Sequence, residues 1–151
     1  MTSASTRARS RSAARLAAVQ ALYQHEMEKT PIPVLLHEFH HHRLGATIEG
    51  DRYADAEVDF FDDLVSGVHA RAEELDALIS ARLAQGWSLH RLDRPMRQIL
   101  RAGAYELVSR IDVSTGTVIS EYVDVAKAFY DKREAAFVNG LLDAVARDVR
   151  S

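Results

Sequence analysis

The fold is decided by residues 92–111, LDRPMRQILRAGAYELVSRI, which predict one heavily buried helix at the centre of the chain. Its apolar residues recur at spacings of three and four: Met96, Ile99, Leu100, Ala104, Leu107 and Val108. Asp93 is placed to cap this helix, and Pro95 fits its first turn, where no intrahelical N–H partner is needed. Gly103 costs about 1 kcal/mol of helix propensity relative to Ala. We therefore expect a neighbouring helix to pack closely at Gly103.

Apolar stripes at helical spacing continue on the N-terminal side of this segment. One helix is expected to begin near Ser10 or Ser12, a second after residues 30–33 (TPIP), and a third from Asp55. A fourth helix is expected to end at a glycine stop, Gln85-Gly86. The sequence thus predicts four helices before the central one.

Two more helices are predicted after the central segment. Their stripes are Val118, Ile119, Tyr122, Ala126 and Phe129, followed by Phe137, Val138, Leu141, Leu142, Val145 and Val149. A short strand from Val113 and Val118 would find no partner strand in the chain. The prediction is an all-α fold of about seven helices in two small bundles packed together. It forms a single domain, 1–151, with a flexible basic arm at 1–9, an N-terminal half at 10–84 and a C-terminal half at 92–150.

Composition limits the class of protein. A chain of 151 residues with 47% apolar residues can bury a compact core. It has no cysteine, which excludes a disulfide framework and thiol chemistry and fits a reducing cytoplasm. No apolar run approaches the roughly 20 residues that span a membrane. We therefore expect a cytoplasmic protein without a membrane partner.

Charge is distributed unevenly along the chain. Residues 1–25 contain four arginines and no acidic residue, whereas all 22 acidic residues lie in 26–151. The four are Arg7, Arg9, Arg11 and Arg15. A basic patch on an acidic body predicts a polyanionic partner. The Arg- and Ser-rich start is also typical of a mitochondrial transit peptide, although the same helix continues into an apolar stripe that a cleaved peptide would not need.

The sequence offers little catalytic chemistry. It contains no glycine-rich phosphate loop, no nucleophile elbow and no HExxH pair on a helix. The histidine cluster of residues 37–42, with His37 and His41 one helical turn apart, fits either a metal site or a solvated polar face. The acid pairs Asp62-Asp63 and Glu73-Glu74 fit solvated helix faces better than an acid/base dyad. For the Arg97 and Arg101 pair we expect an acidic partner on another helix, with a ligand contact as the alternative. No enzyme activity, metal or other cofactor is predicted.

Six blocks of sequence together resemble the NusB family of bacterial transcription antitermination factors. They are RSAARLAAVQALYQ, DFFDDLVSGV, LDALI, ILRAGAYEL, VISEYVDVAKAF and FVNGLLD, in the family's order over nearly the whole chain. The resemblance implies a NusB-like helical domain without enzymatic activity. It also implies binding of boxA RNA together with NusE, a ribosomal small-subunit protein, in an antitermination complex with RNA polymerase. Both a monomer and a homodimer remain open for the free protein.

The resemblance also implies site residues. The RNA-binding set is Arg7, Arg9, Arg11, Arg15, Gln20, Tyr23, Lys127, Phe129, Lys132, Arg133, Phe137 and Asn139. Cations hold the backbone of single-stranded RNA, and its unstacked bases stack on aromatic rings. Tyr23, Phe129 and Phe137 also lie on core stripes, and Asn139 also fits a backbone-satisfying role, so a structural alternative stays open for each. The arginines have the least structural alternative.

The surface for the protein partner is expected at the start of the central helix and in the loop after it. Its residues are Met96, Arg97, Val113, Thr115 and Val118. Family members often carry an acidic and an aromatic residue in these places, where this chain has Met96 and Thr115. Two alternatives remain: a helical protein-binding module without an RNA role, and the RNA-binding front domain of an rRNA cytosine methyltransferase. For the second, we expect no room for a methyl-donor domain before Ser151.

Overall fold

The structure, a computed structural model, describes residues 4–40 and 55–150, and these residues form seven α-helices and no strand. The helices are α1 (Ala4–Glu28), α2 (Ile32–Phe39), α3 (Asp55–Ala70), α4 (Ala72–Ser80), α5 (Arg94–Ser109), α6 (Thr115–Phe129) and α7 (Lys132–Val149). A 3-10 turn, Leu89–Arg91, precedes α5. The all-α prediction of about seven helices is confirmed.

The chain divides into two compact units between Ser66 and Gly67. The sequence placed the boundary later, at residues 84–92. The difference arises because α4 packs against α5 and so belongs to the second unit. Arg101 on α5 confirms this pairing: its Nε and Nη2 donate to the two carboxylate oxygens of Asp76 on α4, at 2.7 and 2.8 Å. The expected acidic partner on another helix is thus confirmed for Arg101.

In the first unit α1 packs against α2, and the first part of α3 supplies two buried aromatic rings, Phe60 and Phe61. Phe61 stacks on Phe39 of α2, with ring centroids 5.5 Å apart. α1 ends where Lys29 adopts a positive φ of 61°, a C-terminal geometry that takes the chain out of the helix. The core of this unit is therefore formed by apolar residues of α1, of α2 and of the first part of α3.

α5 is the central helix of the second unit, as the sequence predicts. Every residue from Gln98 to Leu107 except Arg101 is buried, and α6 and α7 both pack against this helix. A Cβ atom added to Gly103 would lie 2.7 Å from Leu142 Cδ1 of α7, so the expected close packing is confirmed. Glu106 is fully buried and accepts a hydrogen bond from the Tyr122 hydroxyl of α6. The buried carboxyl group thereby gains the partner that burial requires.

Arg150 holds the corner between α5 and α6 together. Its guanidinium group donates to four backbone carbonyl groups, those of Glu106, Leu107, Arg110 and Val113, at 2.7–3.1 Å. It also donates to the Thr115 hydroxyl at 3.2 Å. The carbonyl groups of Leu107 and Arg110 lie in the last turn of α5 or at its C-cap, where a helix has no internal donors left, and that of Glu106 also accepts from the Arg110 N–H. A side chain from after α7 therefore closes the C-terminal end of α5.

The predicted start of α1 and the predicted end of α4 are wrong. α1 begins at Ala4, not near Ser10 or Ser12, so residues 4–9 of the predicted arm are helical, while residues 1–3 lie outside the described part. Alanine and arginine have high helix propensity, which favours a helix without any apolar stripe. α4 ends at Ser80, before Gln85-Gly86. The backbone N–H of Arg82 bonds to the carbonyl of Ile79, three residues back, and this tightening takes the chain out of α geometry.

Candidate nucleic-acid interface

The arginines of α1 differ in exposure. Arg9 is exposed, and the Arg7 side chain lies outside the described residues. Arg11 is half-buried, with its Nε 3.5 Å from Oε2 of the buried Glu57. Arg15 is 2% exposed. The expectation that the arginines have the least structural alternative is therefore wrong for Arg11 and Arg15.

Phe60 explains why two arginines can lie inside the first unit. The guanidinium carbon of Arg11 is 4.6 Å from the centroid of the Phe60 ring, and that of Arg15 is 5.0 Å away. A planar guanidinium group is weakly hydrated and stacks well on an aromatic face. The ring thus provides a favourable environment for both cations, and their stacking fixes α1 against the start of α3.

The two other predicted RNA-binding residues of the first unit, Gln20 and Tyr23, lie further along α1. Both are half-buried. Tyr23 is thus neither fully in the core nor fully on the surface. Its environment fits both the core position and the RNA contact predicted from the sequence.

The predicted cations of the second unit are all exposed. They are Lys127 on α6 and Lys132 and Arg133 in the first turn of α7. Lys127 Nζ is 3.9 Å from Oδ1 of Asp124, and both side chains are largely in water. A solvated ion pair of this kind contributes little and is readily exchanged. These cations are therefore available to an anionic ligand.

Phe129 and Phe137 are both 37% exposed, so the core alternative is wrong for these two rings. Phe129 ends α6 and Phe137 lies in the second turn of α7. Asn139 is exposed as well. The structure therefore places two partly open rings and an amide on the helices that also carry the three exposed cations.

A cleft of about 630 Å³ lies within the second unit. Phe137 and Arg133 from the predicted RNA set line it together with Met96 from the predicted partner set. Trp87 and Arg91, from the connector between α4 and α5, line it too. Sequence reasoning did not assign these two residues to the site. The available signal was the single tryptophan of the chain, followed four residues later by an arginine.

The predicted partner residues are mostly inside the second unit. Met96, Val113 and Val118 are buried, and Arg97 and Thr115 are half-buried. Thr115 accepts a hydrogen bond from Arg150. Of this set, only Arg97 and Thr115 retain part of their side-chain surface, while the three apolar residues help to shape the helix start and the loop.

The histidine cluster is only partly described, because His41 and His42 lie outside the described residues. His37 is exposed, and His40 Nε2 lies 2.6 Å from Oδ1 of Asp62. Across residues 4–40 and 55–150, no three His, Asp or Glu side chains are arranged to hold a metal ion. Within the same residues, no helix has the length and apolarity to cross a bilayer.

Each of the two acid pairs has an engaged member, and that of the first pair is Asp62, which contacts His40. The carboxylate of Glu74 accepts two hydrogen bonds from Arg71, both at 2.8 Å. These hydrogen bonds lower the pKa of Glu74, since they favour its charged form. A carboxylate held in the charged form is a poor proton donor at neutral pH.

Comparison with known proteins extends over nearly the whole chain. The sequence model of the NusB family matches residues 12–147. The transcription antitermination protein NusB of Sphingopyxis alaskensis is 70% identical over 144 residues, covering 95% of this chain and 97% of that protein. The NusB protein of Novosphingobium aromaticivorans is also 70% identical, over 94% of this chain and 96% of its own length.

Solved structures share the fold. NusB of T. maritima superposes with a TM-score of 0.79 at 30% identity, covering 93% of each chain. A chain from the crystal structure of antitermination factors NusB and NusE in complex with dsRNA has a TM-score of 0.79 at 27% identity, covering 93% of this chain and 98% of that one. Both the sequence and the fold thus lead to the same conclusion. This chain belongs to the NusB family.

Proposed function

We propose that this protein is a transcription antitermination factor that binds boxA-type RNA together with NusE, in a complex with RNA polymerase. Relatives that are 70% identical over nearly their full length bear the name transcription antitermination protein. A structure of the same fold contains NusB, NusE and dsRNA. We further propose that the protein acts in the cytoplasm and does not catalyse a reaction.

The observation that carries the RNA part is the partial exposure of Phe129 and Phe137 beside exposed cations. An exposed phenylalanine loses the free energy of apolar burial, about 1.5–3 kcal/mol when burial is complete. A nucleobase stacked on the ring would restore part of that burial. Lys127, Lys132 and Arg133 would neutralise the phosphates of the same strand.

In the first unit we assign RNA contact chiefly to Arg9, with Gln20 and Tyr23 further along α1. Arg7 belongs to the same proposed set. Arg11 and Arg15 would act in a different way, since their guanidinium groups stack on Phe60. Their proposed contribution is to hold α1 in place, so that Arg9 is presented from an ordered helix.

For NusE we retain the start of α5 and the α5–α6 loop as the proposed docking region. Arg97 and Thr115 are the candidates for direct contact, because they keep accessible surface. Met96, Val113 and Val118 would act by shaping the backbone around them.

Asn139, exposed on α7, remains in the proposed RNA set.

A titration tests the proposal directly. The full chain is titrated with a boxA-type RNA and with a scrambled RNA of equal composition, each with and without saturating NusE. We expect tighter binding of the boxA sequence and a further gain with NusE, because a few cations alone give modest affinity at physiological salt. Binding to NusE without any effect on RNA would instead identify a protein-binding module.

A further inference from the structure

Trp87 is the single tryptophan of the chain and is 55% exposed on the cleft of the second unit. A large aromatic ring in water forgoes the free energy of apolar burial. Tryptophan also combines a large contact area with few rotatable bonds. An exposed tryptophan in a cleft is therefore suited to binding a flat partner.

The position of Trp87 is fixed by its own loop. Gly86 has a φ of +88°, a conformation that favours glycine, and the Trp87 N–H donates to the carbonyl of Ala84 at 3.0 Å. Arg91 Nη1 donates to the carbonyl of Gly86 at 2.8 Å. The guanidinium carbon of Arg91 lies 5.3 Å from the Trp87 ring centroid. The ring is thus held in place before any ligand arrives, which reduces the entropy lost on binding.

Two arginines of the cleft lining are accessible to an anionic group. Arg91 and Arg133 are both exposed. Of the two acidic residues in the lining, Asp93 accepts a hydrogen bond from the Tyr130 hydroxyl, and Oε2 of Glu134 is shielded from solvent. Asp93 is exposed as well, so the lining offers charges of both signs, and its two accessible guanidinium groups lie beside two aromatic rings, Trp87 and Phe137.

We propose that Trp87 and Arg91 form a nucleobase platform, on which an unstacked base of single-stranded RNA stacks while Arg91 and Arg133 contact its phosphates. This inference rests on the proposed RNA-binding function and adds the α4–α5 connector to the site. Ring stacking combined with guanidinium–phosphate pairing is the usual way in which proteins hold single-stranded RNA. The cleft of about 630 Å³ falls within the roughly 300–1,000 Å³ range of small-ligand sites, so it admits a nucleotide.

A nucleotide fits this cleft better than an apolar protein segment does. Covering the cleft with aliphatic side chains would remove water from Arg91 and Arg133 without supplying a counter-charge, which is unfavourable. A phosphodiester supplies that charge and accepts paired hydrogen bonds from a guanidinium group. A protein segment in the cleft is therefore the competing outcome in the test.

Because Trp87 is the only tryptophan, its fluorescence reports on this site. The complex of the full chain with NusE is titrated with a boxA-type RNA oligonucleotide, and the same complex made with Trp87→Phe serves as the fluorescence blank. We expect RNA to quench Trp87. Trp87→Leu should weaken RNA binding about 10-fold, and Trp87→Phe should weaken it less, because a smaller ring still stacks.

Val34→Ala is the matched control, since Val34 is an apolar residue of α2 that is 48% exposed and lies outside the cleft lining and both proposed contact sets. We expect it to leave RNA affinity unchanged. Circular dichroism of each variant checks that the fold is retained. Affinity for NusE in the absence of RNA, measured in parallel, should not differ between Trp87→Leu and the wild type.

Three results would overturn the inference. RNA binding at full affinity by Trp87→Leu, with no quenching in the wild type, would remove Trp87 from the site and leave the proposed function intact. Loss of NusE affinity in Trp87→Leu without RNA would make the cleft a protein-docking site. Failure of the wild-type complex to bind boxA-type RNA at all would overturn the proposed function together with this inference.

Discussion

The arginines of α1 and the cations of α6 and α7 are similar in sequence but differ in environment. Arg15 is 2% exposed and stacks over Phe60 in the first unit. Lys132 and Arg133, at the start of α7 in the second unit, are exposed. Both groups resemble an RNA-binding surface in sequence. Burial, more than charge, therefore decides which of these cations can meet a phosphate.

The comparison also shows how a protein can contain cations within its core. Glu57 supplies a counter-charge to Arg11 and Phe60 supplies an aromatic face, and both come from α3. The exposed cations of α7 have water around them instead. A cation that stacks in the core should matter for stability, and one in water should matter for binding.

The largest expected effect follows from substituting Arg15 by Ala. This change removes a buried side chain and leaves a cavity beside Phe60, so we expect the free energy of unfolding to fall by about 2–4 kcal/mol. Arg15→Lys should recover only part of this loss, since an ammonium group does not stack as a plane. The measurement is equilibrium urea denaturation of each variant.

The matched control is Arg133→Ala, which removes an exposed cation of the second unit. Surface substitutions of this kind usually change stability by less than about 0.5 kcal/mol. Equal losses for Arg15→Ala and Arg133→Ala would remove the distinction between the two groups of cations.

The next effect concerns the salt dependence of RNA binding. Each cation that neutralises a single-strand phosphate contributes about 0.7 to the slope of log affinity against log salt. Replacing Lys127, Lys132 and Arg133 together by Ala should therefore reduce the slope by about 2. Arg9→Ala alone should reduce it by about 0.7.

Single substitution of Arg9 is the sharper test of the N-terminal region, because deleting residues 1–11 would also remove two turns of α1. Arg147→Ala serves as a control, since Arg147 is an exposed arginine of α7 in an i,i+4 ion pair with Asp143. An unchanged slope in the triple variant would exclude the α6–α7 cations from the RNA interface.

The smallest expected effect is a pH dependence of the contribution that Tyr130, in the second unit, makes to stability. Burial raises the pKa of the Tyr130 hydroxyl above its ordinary value, and the hydrogen bond to Asp93 adds to this. Its contribution to stability is therefore complete below about pH 10, the ordinary tyrosine pKa, and is lost as the pH rises toward the higher pKa of the folded state. Tyr130→Phe should be less stable than the wild type below that pH.

The stability difference between Tyr130→Phe and the wild type should shrink above about pH 10. Tyr23→Phe, which changes a half-buried tyrosine of α1 in the first unit, is the control for general effects of high pH on stability. Denaturation midpoints across this pH range provide the measurement. A constant difference for Tyr130→Phe would mean that folding does not raise the pKa of the Tyr130 hydroxyl.

The fold could be predicted from the sequence wherever apolar periodicity and local helix signals agree. α5 is the clearest case, since Met96, Ile99 and Leu100 are buried as predicted and Gly103 meets Leu142. The start of α1 could not be found in this way, because residues 4–9 form a helix without an apolar stripe. Periodicity reports which face of a helix is buried, and it does not detect a helix that buries little.

The site was harder to predict because its residues depend on distant partners. The buried Arg15 of α1 stacks on Phe60, which lies on another helix, α3. The cleft joins Trp87 and Arg91 of a connector to Arg133 and Phe137 of α7. Such contacts arise between segments far apart in sequence, so no local pattern indicates them.

Arg150 also has a consequence for the order in which the second unit can mature during synthesis. Its guanidinium group bonds to the carbonyl of Arg110, a residue translated 40 positions earlier. A nascent chain that has emerged only as far as α6 therefore has α5 and its following turn, but lacks the donors that close the end of α5. The corner becomes fixed only after α7 has left the ribosome, so a factor of this family would complete one of its own proposed docking regions last.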